Sequence, residues 1–128
     1  MHERVASNSP FEPVVGFSRA VRAGSHVYVS GTAAWDAAGK IAAGDVYAQT
    51  RQCIENIAAA LAKAGASLSD VVRTRIYVVD VDLRQEAARA HREAFAAIMP
   101  VATLVEVSRL ATPAMLVEVE ADAVIEAE

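Results

Sequence analysis

The acidic side chains Glu118, Glu120 and Asp122 are the strongest candidates for chemistry in the 128-residue chain. They lie within residues 115–125, where the many β-branched residues predict a strand. Alternate residues of a strand point to opposite faces, so the three carboxylates share one face and the apolar residues occupy the other. A carboxylate in a cleft can act as a general base towards water, whereas a solvated acidic face needs no function. Both interpretations stay open on the sequence alone.

A second predicted strand, which opens at Ser69 and runs to about Asp80, offers positive partners for those carboxylates. An unpaired buried charge is costly, so carboxylates in a cleft need such partners. We therefore expect a polar cleft on the sheet. The alternation predicts one face made of Arg73, Arg75, Tyr77 and Val79, and an opposite face made of Val72, Thr74, Ile76 and Val78.

Three other reactive or aromatic side chains are interpreted as structural. Cys53 is the only cysteine, which excludes an internal disulfide, a zinc knuckle and a CxxC motif, and its place on an apolar helical stripe indicates a core residue. His91 falls at the edge of another apolar stripe, where a hydrogen-bonded histidine is commoner than a catalyst. Trp35, the only tryptophan, is predicted to cover the edge of the core rather than stack on a ligand.

Composition narrows the classes of function. The formal net charge is −4, and no lysine and arginine cluster is interleaved with aromatic residues, which argues against a nucleic-acid partner. No apolar run reaches the length of a signal peptide or membrane span, so we expect a soluble, cytoplasmic chain with no membrane partner. Hydrophobic residues make up 54% of the chain, but many are alanines that bury little area, so we expect a multimer.

Periodicity predicts the element order strand, strand, helix, strand, helix, strand, strand after an irregular lead-in over residues 1–13. Two antiparallel hairpins are expected, the second closed by a turn at residues 111–114. The first hairpin pairs residues 18–22 with 26–30, and the second pairs residues 100–110 with 115–125.

Two helices are predicted, each with one apolar face. Asp45 caps the first, which runs to about Ala64 before Gly65. Asp82 and Gln85 resemble a capping box for the second. The second helix runs to about Ile98, and its predicted stripe consists of Leu83, Ala87, Ala90, His91, Ala94, Phe95 and Ile98.

These elements fit one α+β domain spanning residues 1–128, in which both helices cover one face of a single mixed β-sheet. No helix is left to cover the other face, which would expose apolar residues beside the charges. We therefore predict that this face packs against copies of the chain, with clefts between subunits.

Several motifs make the chain similar to the RidA/YjgF family, the reactive intermediate deaminases that are also labelled L-PSP endoribonucleases. The resemblance runs from about residue 13 to the C-terminus. The motifs are Gly16-Phe-Ser-Arg-Ala20, Val27-Tyr-Val-Ser-Gly31, Gln49-Thr-Arg-Gln52 with Glu55-Asn56, Ala66-Ser-Leu-Ser-Asp-Val-Val72, Pro100 with Val105-Glu-Val107, and Val117-Glu-Val-Glu-Ala121.

The resemblance implies a chorismate-mutase-like subunit in a homotrimer with a central barrel and three clefts between subunits. Archetypal members hydrolyse an enamine or imine to a 2-keto acid and ammonia without metal or cofactor. Glu118 matches the family's water-positioning glutamate, and Phe17 falls where a tyrosine is usual. Ser30 and Gly31 match the small pair that approaches the ligand. Ala102 stands where the family's carboxylate-binding arginine is expected.

An alanine supplies neither charge nor hydrogen-bond donor, so archetypal 2-aminoacrylate deamination is not expected. Arg19 or Arg75 could replace the missing cation. Three functions stay open: hydrolysis of another small imine, enamine or carbonyl metabolite, binding of a small metabolite without turnover, and, least favoured, ribonuclease or translation-inhibitor activity. Discrimination against acidic substrates would follow from a pocket without a cation.

Overall fold

The computed structural model describes residues 2–126, which form one sheet of six strands with two main helices on one of its faces. This arrangement confirms the predicted α+β class. The strands are β1 (Glu3–Val5), β2 (Ala20–Ala23), β3 (His26–Thr32), β4 (Val71–Val78), β5 (Val101–Glu106) and β6 (Val117–Val124), and the helices are α1 (Phe11–Val15), α2 (Val46–Lys63) and α3 (Arg84–Phe95).

The order of strands across the sheet is β1-β2-β3-β6-β4-β5. The pairing of β4 with β5 is parallel, and the other pairings are antiparallel. The last strand of the chain therefore lies in the middle of the sheet, between β3 and β4. This central position brings a carboxylate-bearing strand next to both of its polar neighbours.

The predicted hairpin of residues 100–110 with residues 115–125 is wrong. β5 pairs in parallel with β4, and β6 contacts β4 from the other side. Helix α3 carries the chain from β4 to β5, and a crossover helix of this kind joins parallel strands. Alternating apolar residues identified both strands correctly, but this pattern carries no information about which strand lies beside which.

The predicted irregular lead-in over residues 1–13 is also wrong. Its first part forms β1, an edge strand whose Glu3 pairs with Arg22. Its second part begins the short helix α1, which ends at Gly16 in a left-handed conformation. In a short polar segment that contains prolines, apolar residues do not recur with a measurable period. The sequence therefore gave no indication that β1 pairs with β2.

Helix α2 follows the prediction closely. Its N-cap is Asp45, whose side chain accepts a hydrogen bond of 2.9 Å from the backbone N–H of Ala48. Gly65 follows the helix with a φ of 82°, a value that glycine adopts without strain. The predicted stripe is buried and consists of Val46, Thr50, Cys53, Ile54, Ile57, Leu61 and Ala64.

The start of α3 differs from the predicted capping box. The carboxylate that accepts a backbone hydrogen bond is that of Asp80, from the N–H of Asp82 at 3.0 Å, and a short 3₁₀ turn precedes the α-helix. Leu83 is 42% exposed as a result and does not belong to the buried stripe. The start of α3 differs from the prediction because Asp80 and Asp82 are both placed where an aspartate could cap the helix.

Strand β4 buries Thr74, Ile76 and Val78 against the helices, as predicted. Val72 is an exception, since it is 46% exposed. The register with β6 shifts between Val71 and Arg73, and an extra residue at such a bulge turns its side chain to the opposite face.

Candidate active site

The polar residues of β4 and β6 meet on the helix-free face of the sheet. Glu118 pairs with Tyr77, Glu120 with Arg75, and Asp122 with Arg73. Residues opposite each other in neighbouring strands point to the same face, so the acidic and basic side chains share one surface, as the alternation predicted.

Two of the three carboxylates are neutralised within the chain. Arg75 Nη1 lies 3.4 Å from Glu120 Oε1 and 3.5 Å from Asp122 Oδ2. The Tyr77 hydroxyl donates a hydrogen bond of 2.6 Å to Glu120 Oε1, and this bond is the main reason why the pKa of Tyr77 is raised. Arg73 Nε approaches Asp122 Oδ2 at 3.9 Å. This end of the face is a network of internal ion pairs.

Glu118 has a different environment, because its carboxylate lies against the backbone of Gly31. A Cβ built on Gly31 would overlap Glu118 Oε1 and would lie 3.0 Å from Glu118 Cδ. Gly31 occupies an irregular part of β3, where the register with β6 shifts between Val29 and Thr32. Only a residue without a side chain leaves the carboxylate its present position.

Partial burial raises the pKa of Glu118 above its usual range. The Arg19 charge opposes this rise, and the neighbouring Glu120 charge adds to it. Burial also raises the pKa of the Cys53 thiol, with a further rise from the Glu118 charge. Cys53 is fully buried, so the structure agrees with a core residue. A carboxylate with a raised pKa is a stronger base than an ordinary carboxylate, which suits a general base.

Arg19 is buried near this carboxylate, and both of its terminal nitrogens have partners within the chain. Its Nη1 donates to Gly31 O at 2.6 Å and to Thr32 Oγ1 at 3.2 Å, and its Nη2 lies 3.5 Å from Glu12 Oε2. Phe17 packs against the guanidinium, with Arg19 Cζ 5.3 Å from the ring centroid. Arg19 therefore supports the site instead of presenting a free cation.

Ser30 is also tied to this segment. Its backbone N–H and its hydroxyl both donate to the carbonyl oxygen of Arg19, at 3.0 Å and 3.1 Å. The hydroxyl proton is thus engaged within the chain, and the Ser30 oxygen is left as a possible acceptor.

Ala102 lies apart from the other predicted site residues. It pairs with Thr74, so it belongs to the helix-bearing side of the sheet, at the exposed edge strand β5. Ala102 is two strands away from Glu118 across the sheet and three residues away along the strand direction, so the two residues are roughly 14 Å apart. The structure therefore brings together Glu118, Gly31, Ser30, Arg19 and Phe17, whereas Arg75 joins the acidic network and Ala102 stands alone.

Sequence reasoning missed the buried residues that hold the site in place. Glu12 and Thr32 are 7% and 3% exposed and belong to the Arg19 cluster. Gln49 is fully buried on α2, and its amide accepts from the N–H of Leu116 at 2.9 Å, just before the Glu118 strand segment. A glutamine inside an otherwise apolar helical stripe was the available signal for this role.

Asn56 performs the matching function for the strand that carries Gly31. Its side-chain amide donates to the carbonyl oxygens of Ala33 and Trp35 at 3.0 Å and 2.9 Å. Trp35 is half-buried at the edge of the core, in agreement with its predicted role. Helix α2 thus fixes the segments that flank both Gly31 and Glu118.

His91 lies on the helix-bearing side of the sheet. Its Nε2 is 2.9 Å from the buried Thr74 hydroxyl, and its ring packs on Phe95 with the two centroids 4.6 Å apart. Burial lowers the pKa of His91, which favours the neutral ring. A hydrogen-bonded residue at the edge of the core is what the sequence predicted.

Comparison with known proteins identifies the family. The sequence profile described as Endoribonuclease L-PSP matches residues 7–125. The chain belongs to this family. It shares 46% sequence identity with Rv2704 of Mycobacterium tuberculosis, a member of the YjgF/YER057c/UK114 family. The two structures align with a TM-score of 0.89, and the alignment covers 98% of this chain and all of Rv2704.

Two other proteins similar to this chain are informative. The 2-iminobutanoate/2-iminopropanoate deaminase of Salmonella typhimurium is 33% identical over 128 residues, covering 97% of this chain and 98% of that protein. The Escherichia coli protein TdcF, solved with bound serine, is 26% identical with a TM-score of 0.81 and covers 96% and 94% of the two chains. Within residues 2–126, no three acidic, histidine or cysteine side chains are grouped to hold a metal ion, and no helix has the length and apolar character of a membrane span.

Proposed function

We propose that this one-domain chain forms a homotrimer whose clefts hydrolyse a small imine, enamine or carbonyl metabolite. The observation that carries the proposal is the placement of the half-buried Glu118 carboxylate against Gly31, where within residues 2–126 it forms no ion pair like that of Glu120 with Arg75. The 33% identical Salmonella protein is named as a deaminase of 2-iminobutanoate and 2-iminopropanoate, which supports imine chemistry.

The reaction requires one base and one donor. Water attacks the imine carbon, and Glu118 removes a proton from that water as the carbon–oxygen bond forms. The nitrogen gains this proton, which gives a carbinolamine. Glu118 then takes the proton of the new hydroxyl group and passes it to the amine nitrogen, the carbon–nitrogen bond breaks as the carbon–oxygen double bond forms, and ammonia leaves with a carbonyl product. The Gly31 N–H would stabilise the polar group that develops beside the reacting carbon.

The proposed substrate carries no carboxylate, in contrast to that of an archetypal 2-aminoacrylate deaminase. Ala102 provides no cation, Arg19 is bound by Glu12 and backbone oxygen, and Arg75 is bound by Glu120. A guanidinium contact to a charged ligand contributes on the order of several kcal/mol, so its loss would slow acidic imines by orders of magnitude.

The positions of the site residues support an assembly of subunits. Glu118 and Ala102 are on opposite sides of one sheet, so Ala102 could approach Glu118 only from another subunit. Strand β5 also exposes Val101 and Val105, which would be covered by such a partner. We propose a small-molecule cleft between subunits on this basis.

The second candidate is a trimer that binds a small metabolite without turnover. The occupied arginines favour it, because a site without a free cation gives weaker stabilisation to a charged transition state. The bound serine in TdcF makes serine and its uncharged derivatives the first ligands to test. A ligand recovered unchanged after long incubation would favour this function over hydrolysis.

Ribonuclease activity, which the family description names, is not part of the proposal. A second acid or base near Glu118 is needed for such cleavage, and His91 is bound to Thr74 on the other side of the sheet. The net charge of −4 also gives weak attraction to RNA.

The test compares two kinds of imine. An amine oxidase would generate imines without a carboxylate, and a serine dehydratase would generate 2-aminoacrylate, with release of ammonia and the carbonyl product followed in both. We expect wild type to accelerate the first hydrolysis, and Glu118→Gln to lose about 100-fold or more of that activity. Glu120→Gln is the matched control on the same strand face and should stay within about threefold.

Ala102→Arg tests the substrate class. We expect this variant to gain activity on 2-aminoacrylate, because the arginine restores a carboxylate contact. Fast turnover of 2-aminoacrylate by wild type would contradict the substrate class. Wild type without activity on either imine, together with tight binding of an unchanged ligand, would instead establish the binding function.

A further inference from the structure

The peptide groups on both sides of Gly31 have their carbonyl oxygens held by side chains. The Thr32 hydroxyl donates to Ser30 O at 2.7 Å, and Arg19 Nη1 donates to Gly31 O at 2.6 Å. The peptide unit is planar and its N–H points opposite to its C=O. Fixing the Ser30 carbonyl therefore fixes the direction of the Gly31 N–H, the donor that the proposed reaction needs.

Thr32 and Arg19 are themselves held in place by further contacts. Arg19 Nη1 donates to Thr32 Oγ1 at 3.2 Å, which orients the hydroxyl towards Ser30 O. Glu12 Oε2 lies 3.5 Å from Arg19 Nη2, and Glu12 also accepts from the backbone N–H of Ser7 at 3.0 Å. Glu12, Arg19 and Thr32 are all less than 9% exposed. Charged side chains buried to this degree lose rotational freedom, so the chain of contacts is rigid.

Simple stability is a poor explanation for this arrangement. Replacing a buried ion pair with apolar side chains of similar volume is often neutral or stabilising, so a buried Glu and Arg are not needed to fill the space. Arg19 and Thr32 instead donate to the two carbonyl groups beside Gly31, and Glu12 pairs with Arg19. We propose that Glu12, Arg19 and Thr32 form a positioning relay that sets the direction of the Gly31 amide in front of Glu118.

The relay residues do not contact the substrate in this proposal. They act through the backbone of Gly31, so they are positioning residues, and their catalytic effect rests on the proposed imine hydrolysis. The orientation of the amide itself does not depend on that function and can be measured without a substrate.

The first experiment measures the Gly31 N–H by nuclear magnetic resonance, through its order parameter and its one-bond dipolar coupling. Wild type should show a rigid amide, with an order parameter of about 0.85, and Thr32→Val should lower it to below about 0.6. Thr32→Ser restores the hydroxyl and should return the wild-type values. An unchanged Gly31 order parameter and coupling in Thr32→Val would overturn the relay.

Thr50→Val is the matched control, because it removes another buried threonine hydroxyl. The Thr50 hydroxyl is buried and donates to Val46 O within α2, not to a carbonyl group beside Gly31. We expect the Gly31 amide to be unaffected in this variant. An equal change in Thr50→Val and Thr32→Val would assign the effect to general loosening and would contradict the relay.

Glu12→Gln provides a second test if Thr32→Val fails to fold. Glutamine keeps the shape of Glu12 but removes the charge that holds Arg19, so the Gly31 order parameter should fall by a smaller amount than in Thr32→Val. A wild-type order parameter for the Gly31 amide in Glu12→Gln would overturn the relay.

The second experiment links orientation to catalysis. On any imine that wild type hydrolyses, kcat of Thr32→Val should fall about tenfold with KM within about twofold, since a misplaced donor weakens the transition state more than the bound substrate. A proportional rise in KM with kcat unchanged would contradict the catalytic role. If wild type hydrolyses no imine, the proposed function fails, and the amide measurements alone decide the relay.

Discussion

Glu118 and Glu120 are two residues apart on one face of one strand, yet they have opposite environments. Glu120 accepts a hydrogen bond from Tyr77 and pairs with Arg75, whereas Glu118 faces the bare backbone of Gly31. The Glu118 pKa is raised by burial. The same residue type thus serves as an internal counter-ion in one place and as a candidate base in the other, and the difference comes from the neighbouring strands.

The two arginines differ in a parallel way. Arg75 has a side chain that is 40% exposed and bridges two carboxylates at the surface of the face. Arg19 has a side chain that is 10% exposed and pairs with the equally buried Glu12. A surface ion pair contributes little, whereas removing one member of a buried pair leaves an uncompensated charge.

The largest expected effect is on the stability of Arg19→Gln. We expect the free energy of unfolding to fall by about 3 kcal/mol, because Glu12 loses its buried partner. Arg75→Gln should cost less than about 1 kcal/mol, because water screens its carboxylates. Urea unfolding at one protein concentration measures both variants. Equal losses would remove the distinction between the two arginines.

Gly31→Ala has the next largest expected effect. The added methyl group must displace the Glu118 carboxylate, so kcat on an accepted imine should fall about 100-fold, equivalent to about 2.7 kcal/mol. The obstructing atom is the end of a flexible side chain, so stability should change by less than about 1 kcal/mol. Steady-state kinetics and thermal unfolding check both parts.

The control for Gly31→Ala is a double variant that combines Gly31→Ala with Glu118→Gln. No further loss of activity is expected there, because the group that the methyl displaces no longer acts as a base. An additional 100-fold loss in the double variant would show that Gly31→Ala acts through something other than Glu118.

The smallest effect concerns Glu118 and pH. Because burial raises the pKa of Glu118 in the folded chain, ionising this group disfavours folding as the pH rises above the value of about 4.3 in the unfolded chain. Glu118→Gln should therefore raise the free energy of unfolding at pH 7, by an amount that solvent screening keeps small. Denaturant unfolding at pH 4 and pH 7 should show the gain only at pH 7.

Glu120→Gln is the comparison for that measurement. It loses contacts with Tyr77 and Arg75, so no gain in stability is expected at either pH. A gain of equal size in Glu120→Gln would mean that relief of acidic repulsion over the whole face, and not the burial of Glu118, causes the effect.

The sequence predicted the two main helices and the inner face of the sheet, because apolar residues recur with a regular period in both. The stripe of α2 and the alternation of β6 each follow from burial on one side, and both are confirmed. The neighbours of β6 were not predictable, since an alternating pattern is the same beside β5 as between β3 and β4. The fold class was therefore accessible from the residues, and the strand order was not.

The same limit applies to the site. Glu118 was singled out by its motif, and its contrast with Glu120 required the positions of Gly31, Tyr77 and Arg75. The Glu12 contact with Arg19 joins residues from an apparently irregular segment and the approach to β2, so neither period nor motif indicated it. Side-chain contacts between elements that are short or distant in sequence are set by packing, which local patterns do not encode.

The central position of the last strand has a consequence for synthesis on the ribosome. The segments β1 to β3 and β4 to β5 emerge first, but they are joined into one sheet only when β6, Val117–Val124, is inserted between them. Until β6 leaves the ribosome, the edges of β3 and β4 that it joins are unpaired, and unpaired edges favour intermolecular pairing. Loss of β6 would thus do more than remove Glu118, because the chain would have no strand with which to complete its sheet.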